Sequence, residues 1–349
     1  MRKKLIYGIV IVALLSSVFL AACAAPAPTP GEKVSWRHHC AYGTEDKEYI
    51  GLGNFFDAIT LATGGMFDIE PFPGETIVPT EELLSAVAEG VVEVGHAYGG
   101  YWKGVVPIGN IESSLPGQYT GTLEEWHELQ YDYAPAGRTL EDIYREAYAK
   151  VGVFHLGGHS YNGYPVVFST VPIRTLSDYE GIIIRATGAP ADVFAALGAS
   201  VTFLPGAEIY MALKLGTIDV AVWSVEGLIG YKWYESCKYV IQPPMSTHSI
   251  SHFIINQAAW DALPDDYKDI YETAYHDIYI PQLYDHYLAE WDKVYLMEEP
   301  LGYEIITLSD ADVAEMTRIA MEVIWPAEEA KAPECKEALD IVKAYYGIS

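Results

Sequence analysis

LSDYEGIIIRATGAPADVFAALGASVTFLPGAEIYMALKLGTIDVAVW, residues 176–223, is the stretch that decides the fold. Within it, GIIIRATG (181–188) is a short apolar run bounded by glycines and reads as a strand. APADVFAALGA (189–199) reads as a helix, SVTFLP (200–205) as a second strand, and GAEIYMALKLG (206–216) as a helix stopped by Gly216. TIDVAVWS (217–224) is a third strand. This β-α-β-α-β order predicts an α/β fold with mainly parallel strands. Working outward, the same order recurs upstream. VSWRHHCAY (34–42) reads as a strand, GLGNFFDAITLAT (51–63) as a helix closed by Gly64-Gly65, and MFDIEPF (66–72) as a strand. TEELLSAVAEG (80–90) is a helix capped by Thr80, and VVEVGHAYGGYW (91–102) is a strand running into a Gly- and Tyr-rich loop. VGVFHLGG (151–158) and YPVVFST (164–170) read as strands flanking a glycine-rich loop, GGHSYNGYP (157–165). Residues 252–291 begin as a strand and become a long helix over 264–291, and YEIITLS (303–309) is a late strand. Two such blocks predict two lobes. Lobe I takes 34–158 with about 240–275, and lobe II takes 159–239 with part of 276–349. A ligand in such an architecture sits in a cleft beyond the carboxyl ends of the strands.

The amino terminus is of another kind. Arg2, Lys3 and Lys4 precede an apolar run from Leu5 to Leu20, the pattern of a secretory signal over residues 1–22. Leu20-Ala21-Ala22-Cys23 resembles a bacterial lipobox, which implies cleavage before Cys23 and acylation of its thiol. Residues 23–33 then form a Pro- and Ala-rich tether with no large apolar group to bury. The expected location is the periplasm or cell surface, anchored by lipid to a bacterial membrane. No second apolar stretch is long enough to span one.

The formal charge of −27, more negative still once Arg2, Lys3 and Lys4 are lost, excludes nucleic acid as a partner. A local arginine still binds an anion at contact distance. Cys40, Cys237 and Cys335 allow at most one disulfide, with the pairing open, and no CxxC spacing suggests a metal. GxSxG, HExxH and Walker patterns are absent, which argues against a secreted hydrolase.

Three segments carry a family resemblance: LLSAVAEGVVEVGHAYGGYW (83–102), residues 176–223 above, and INQAAWDALPDDYKDIYETA (255–274). In this order, behind a secretion signal, they resemble the solute-binding proteins of tripartite ATP-independent periplasmic (TRAP) transporters, in particular the keto-acid and monocarboxylate branch. The resemblance implies two α/β lobes closing on a ligand, a long helix spanning both, membrane subunits as partners and no catalysis. A binding protein serving an ATP-driven importer or a sensor would look similar, and an adhesive lipoprotein is a further alternative.

Arg185 is the first candidate for recognition. It directly follows an isoleucine triplet at a strand's end, where its planar fork suits a carboxylate; the alternative is a structural ion pair. By the resemblance it holds the family's substrate-carboxylate position. Trp223 ends another strand and would pack on the ligand's carbon skeleton, or simply fill the core. Tyr98 and Tyr101 lie in the loop after the 91–95 strand, Tyr161 and Asn162 in the 157–165 loop. Of the adjacent His38 and His39, strand alternation points one into the cleft, His39 being the candidate, and one outward. The keto-acid branch carries a Glu before the tryptophan that helps hold a bridging cation. Here that position is Val222, and Glu226 lies three residues beyond Trp223, so no cofactor and no bridging metal is expected. The ligand expected is a small monocarboxylate, a 2-oxo, hydroxy or aromatic acid. Tyr267, Ile270, Tyr271, Ala274, Tyr275, Ile278 and Tyr279 form one apolar helical face, which would pair two copies in a homodimer or dock on the protein's own lobes.

Overall fold

A computed structural model describes residues 33–113, 115–117, 122–164 and 166–348. The signal, Cys23 and most of the tether lie outside the described residues. Eleven strands form two sheets. The first, in order β2-β1-β3-β10-β4, is built from β1 (Val34–Cys40), β2 (Phe67–Phe72), β3 (Val94–Tyr98), β4 (Val153–Tyr164) and β10 (Ser246–Asn256). The second, in order β11-β9-β5-β8-β6-β7, contains β5 (Val166–Ser169), β6 (Ile183–Arg185), β7 (Ser200–Thr202), β8 (Val220–Trp223), β9 (Tyr239–Gln242) and β11 (Glu304–Thr307). The chain leaves the first sheet after β4 and returns through β9 into β10. The expected lobe boundary at 158/159 falls inside β4, whose pairing with β10 runs on to Tyr164.

The strands are mixed rather than mainly parallel. β1 is parallel to β2 and β3, and β6 is parallel to β7 and β8. The crossing strands are antiparallel, β10 to β3 and β4, β5 to β8 and β9. Residues 157–164, expected as a loop, are strand: their backbone groups are consumed by β10.

The local reasons are ordinary. The Lys47–Ala62 helix starts at Asp46, whose side chain accepts from the Glu48 backbone N–H at 2.9 Å. It buries Leu52, Phe55, Phe56 and Ile59, a stripe at helical spacing. That stripe meets Phe253 and the aromatic face of a long helix running Asp265–Ala274, through a wider turn at Tyr275–Tyr279, into Ile280–Leu301. Tyr271, Tyr275 and Tyr279 are fully buried there, so this face covers the protein's own core. On the sheet's other side, Leu83, Tyr144, Tyr148 and Leu339 pack around Ile254. A third cluster, including Ile184, Phe194 and Val222, fills the second lobe. Cys40, Cys237 and Cys335 are buried and unbridged. No helix among the described residues is long and apolar enough to cross a membrane.

One irregularity has consequences for the buried polar groups. β10 pairs Phe253 with Gly157 but Ile254 with His155, so Leu156 is an extra residue in β4. Four positions apart on a regular strand, His155 and His159 would share a face. The bulge sends them to opposite faces of the sheet, His159 with His96 and His155 with His252. Gly157 makes the bulge possible. Its φ is +151°, and a Cβ there would come within 2.5 Å of the Tyr131 hydroxyl. Gly157→Ala is therefore expected to lower stability by about 1–3 kcal/mol, measured as a reduced urea midpoint with an unchanged slope.

Candidate functional site

Arg185 ends β6 with none of its surface exposed. Its Nε–H donates to the Leu204 carbonyl at 2.9 Å and its Nη1 to the Val222 carbonyl at 3.1 Å. The guanidinium lies 4.8 Å from the Trp223 ring centroid and 5.5 Å from that of Phe203. Burial raises the pKa of the Tyr101 hydroxyl, and the nearby Arg185 charge opposes that shift. Tyr98 packs edge-on against Tyr101 at 5.6 Å. Arg185 Nη2 and the Trp223 indole N–H are both buried with no hydrogen-bond partner among the described residues. No carboxylate of the described residues forms a salt bridge with Arg185.

A second, wetter part of the site adjoins this one. A cleft of about 630 Å³ opens between the lobes. Ala41 to Gly43 and Gly74-Glu75 rim it on one side; Gly206, Tyr210, Trp223 and Tyr231 rim it on the other. Trp223 faces both spaces: its ring packs on Arg185 and also borders the cleft. A Cβ at Gly206 would come within 2.9 Å of that ring, so the absence of a side chain there is what lets the Gly206–Leu215 helix start against it.

The lobes also meet through two acids. Asp46, at the start of the Lys47–Ala62 helix, accepts from the Tyr231 hydroxyl at 3.0 Å and faces the carboxyl group of Glu226, to which Ser224 donates at 2.7 Å. Burial pushes Asp46 up to about 7, with the Glu48 charge adding to it. Burial, together with the Asp46 charge, raises Glu226 well above the usual carboxylate range. The two raised pKa values mark a pair of acids whose simultaneous ionisation at the lobe junction is costly.

The predicted residues separate into three groups. Arg185, Trp223, Tyr101 and Tyr98 come together as expected. His39 does not join them; it is buried beside the Pro73 backbone and the Glu75 charge, and burial lowers its pKa. The expectation that His38 or His39 faces outward fails, because His38 is also fully buried, edge-on to Phe253 at 4.7 Å. Both faces of this sheet are covered by helices, so alternation does not bring either ring to solvent. Tyr161 and Asn162 lie on β4 opposite Ser249 and His248 in the backbone register. Cys23 lies outside the described residues. The carbonyls of Leu204 and Val222, and the Asp46–Glu226 contact, carry no signature in the sequence, because main-chain acceptors are independent of residue type and the two acids are distant along the chain.

Two lobes hinged by crossing strands, with a buried and un-neutralised cation beside the cleft, define a solute-binding protein. Comparison with known families agrees. Residues 39–331 match the DctP family, bacterial extracellular solute-binding protein family 7, and the chain belongs to it. The family consists of TRAP solute-binding receptors rather than enzymes. The chain is 29% identical over 248 residues to the monocarboxylate 2-oxoacid-binding periplasmic protein of a Nostoc species, a stretch covering 69% of this chain and 65% of that protein, just under two thirds of it. A TRAP periplasmic solute-binding protein of Desulfovibrio salexigens with bound orotic acid superposes with a TM-score of 0.81 at 20% identity, over 90% of this chain and 99% of that one. The corresponding protein of Pseudoalteromonas atlantica, with bound sodium and pyruvate, gives 0.78 at 23% identity, over 90% and 94%. The two-lobed fold is thereby shown.

The Asp46–Glu226 pair has a pH signature. A carboxyl whose pKa is raised on folding stabilises fully below its unfolded value near 4 and loses that contribution as pH rises through the folded value. Wild type is expected to lose stability relative to Glu226→Gln between about pH 5 and pH 8, by up to roughly 1.4 kcal/mol per pH unit for one proton. Urea unfolding of both proteins across that range measures it; parallel curves refute the raised pKa values.

Proposed function

We propose that this protein captures a small monocarboxylate, of the 2-oxo or hydroxy acid class, with Arg185 as the anchor, and delivers it to TRAP membrane subunits. The observation that carries the reading is the buried guanidinium with no carboxylate partner and with Nη2 unused. A charge removed from water and left unpaired is costly, and an incoming carboxylate supplies the missing anion. The two backbone carbonyls fix the fork from behind, so binding requires little ordering. Tyr101 and the Trp223 N–H stand ready to donate to the ligand's second polar group, and Tyr98 and Phe203 offer apolar surface to its carbon chain. The Nostoc relative's 2-oxoacid binding supports the same class.

The capture is direct, without a bridging cation. At position 222 a valine side chain is buried in the lobe core, and only its carbonyl, occupied by Arg185, faces the site. Glu226 accepts from Ser224, and burial with the Asp46 charge holds it well above the usual carboxylate range, which disfavours its use as a metal ligand. Export and anchoring complete the reading, with residues 1–22 removed and lipid on Cys23.

Isothermal titration with pyruvate, other 2-oxo acids and lactate tests the site. The expected result is a 1:1 complex unaffected by chelator or by exchanging sodium for a larger cation, weakened about 100-fold or more in Arg185→Ala, as for a buried charge pair broken on one side. Arg185→Lys is expected to restore little, because an ammonium cannot present two parallel N–H groups. Binding that persists in Arg185→Ala, or that requires calcium or sodium, refutes the reading. For the anchor, Cys23→Ser is expected to move the protein from the membrane to the soluble fraction, and intact mass of the wild type to show acyl chains on Cys23.

A further inference from the structure

We propose that Glu48, His96 and His159 bind one divalent transition-metal ion of the zinc class, inside the first lobe and apart from the carboxylate site. The three side chains come from the Lys47–Ala62 helix, β3 and β4, and all are fully buried. Their ligand atoms, one from each residue, lie within 4.8 Å of one another. His96 Nε2 contacts Glu48 Oε2, His159 Nε2 is 2.9 Å from the same oxygen, and the two ring nitrogens are 3.2 Å apart. Nitrogens at roughly that separation are what two bonds of about 2.0–2.1 Å to one tetrahedral ion produce.

The hydrogen bonds behind the cluster say which electron pairs face inward. The Gly157 carbonyl only accepts, so the Tyr275 hydroxyl donates to it, at 2.7 Å. The same hydroxyl oxygen must then accept from His159 Nδ1–H, at 2.9 Å. That leaves His159 Nε2, the nitrogen facing the carboxylate oxygen, as the one able to offer a lone pair. A proton on each Nε2 would crowd two N–H hydrogens onto Glu48 Oε2, while Glu48 Oε1 beside it is buried with no hydrogen-bond partner. A cation resolves both features. It accepts the two imidazole pairs and the carboxylate at one point, and the unused Oε1 closes a four-coordinate shell. Two imidazoles with one carboxylate select zinc, cobalt, nickel or iron over calcium or magnesium. Tyr275 on His159 Nδ1, and Cys40 Sγ 3.3 Å from His96 Nδ1, are the outer partners that orient the rings.

The cluster on the opposite face of the sheet provides a comparison. There His155 has both nitrogens on carboxylates, Glu112 at 2.5 Å and Glu141 at 2.9 Å, so both carry protons and the ring is an imidazolium. Glu112 has donors at both oxygens, His155 and the Tyr148 hydroxyl. His252 Nδ1 lies 2.6 Å from Glu112 Oε1 without a hydrogen bond to it, so what sets this cluster apart is the His155 imidazolium, which already supplies a cation to the carboxylate.

The test is metal content and its effect on stability. The whole protein is unfolded, refolded with cobalt(II) or zinc(II) or with chelator, and freed of loose metal by gel filtration. The expected result is one ion per chain, the visible ligand-field bands of a four-coordinate cobalt site, and a melting temperature raised by several degrees over the chelator sample. Glu48→Gln and His159→Gln lose the ion, and His252→Gln keeps it. X-ray absorption on loaded wild type reads two imidazoles and no sulfur in the first shell, which holds even if the variants fail to fold. Folded wild type that retains no ion, an ion kept by Glu48→Gln, or sulfur in the first shell overturns the proposal.

Discussion

The Arg185 guanidinium must be taken out of water to sit at the end of β6, and its neighbours are arranged around that cost. Two carbonyls that belong to strand ends, Leu204 and Val222, accept from it, and two aromatic rings lie over it. Neither kind of partner carries a full negative charge. The arrangement holds the cation in place without neutralising it. A protein of formal charge −27 has 48 acidic residues from which to supply a counterion, and none of the described ones is placed there.

The same chain treats its other buried charges differently. Glu112 is met by His155 and the Tyr148 hydroxyl, and burial raises the pKa values of Asp46 and Glu226 between the lobes. Glu48 has a satisfied half and an empty half. Buried polar clusters are costly unless completed. Their location is common: all but Glu226 surround the first sheet, where the bulge at Gly157 distributes the β4 histidines to the two faces. A fold that crosses between lobes through β4 and β10 therefore positions both its hinge and its buried ionic groups with one pair of strands.

Val222 contributes its carbonyl to Arg185 and its isopropyl group to the core. Trp223, Phe203 and the carbonyls of Leu204 and Val222 are what stand around Arg185.

The sequence by itself determined the α/β class, the strand and helix order through 176–223, the long helix, and Arg185, Trp223, Tyr98 and Tyr101 as a group. Those features are local: apolar periodicity, glycine stops, and a charge placed after an isoleucine run at a strand end. Tertiary structure alone decided the rest. It turned 157–164 from a loop into strand, because β10, almost a hundred residues away, takes up its backbone hydrogen bonds. It buried His38 and His39 together, because helices cover both faces of the first sheet. It also brought Glu48 to His96 and His159, and Asp46 to Glu226, over separations for which no sequence periodicity exists. A chain records which faces must be buried; which polar groups then meet inside is fixed by register, and one extra residue in β4 was enough to change it.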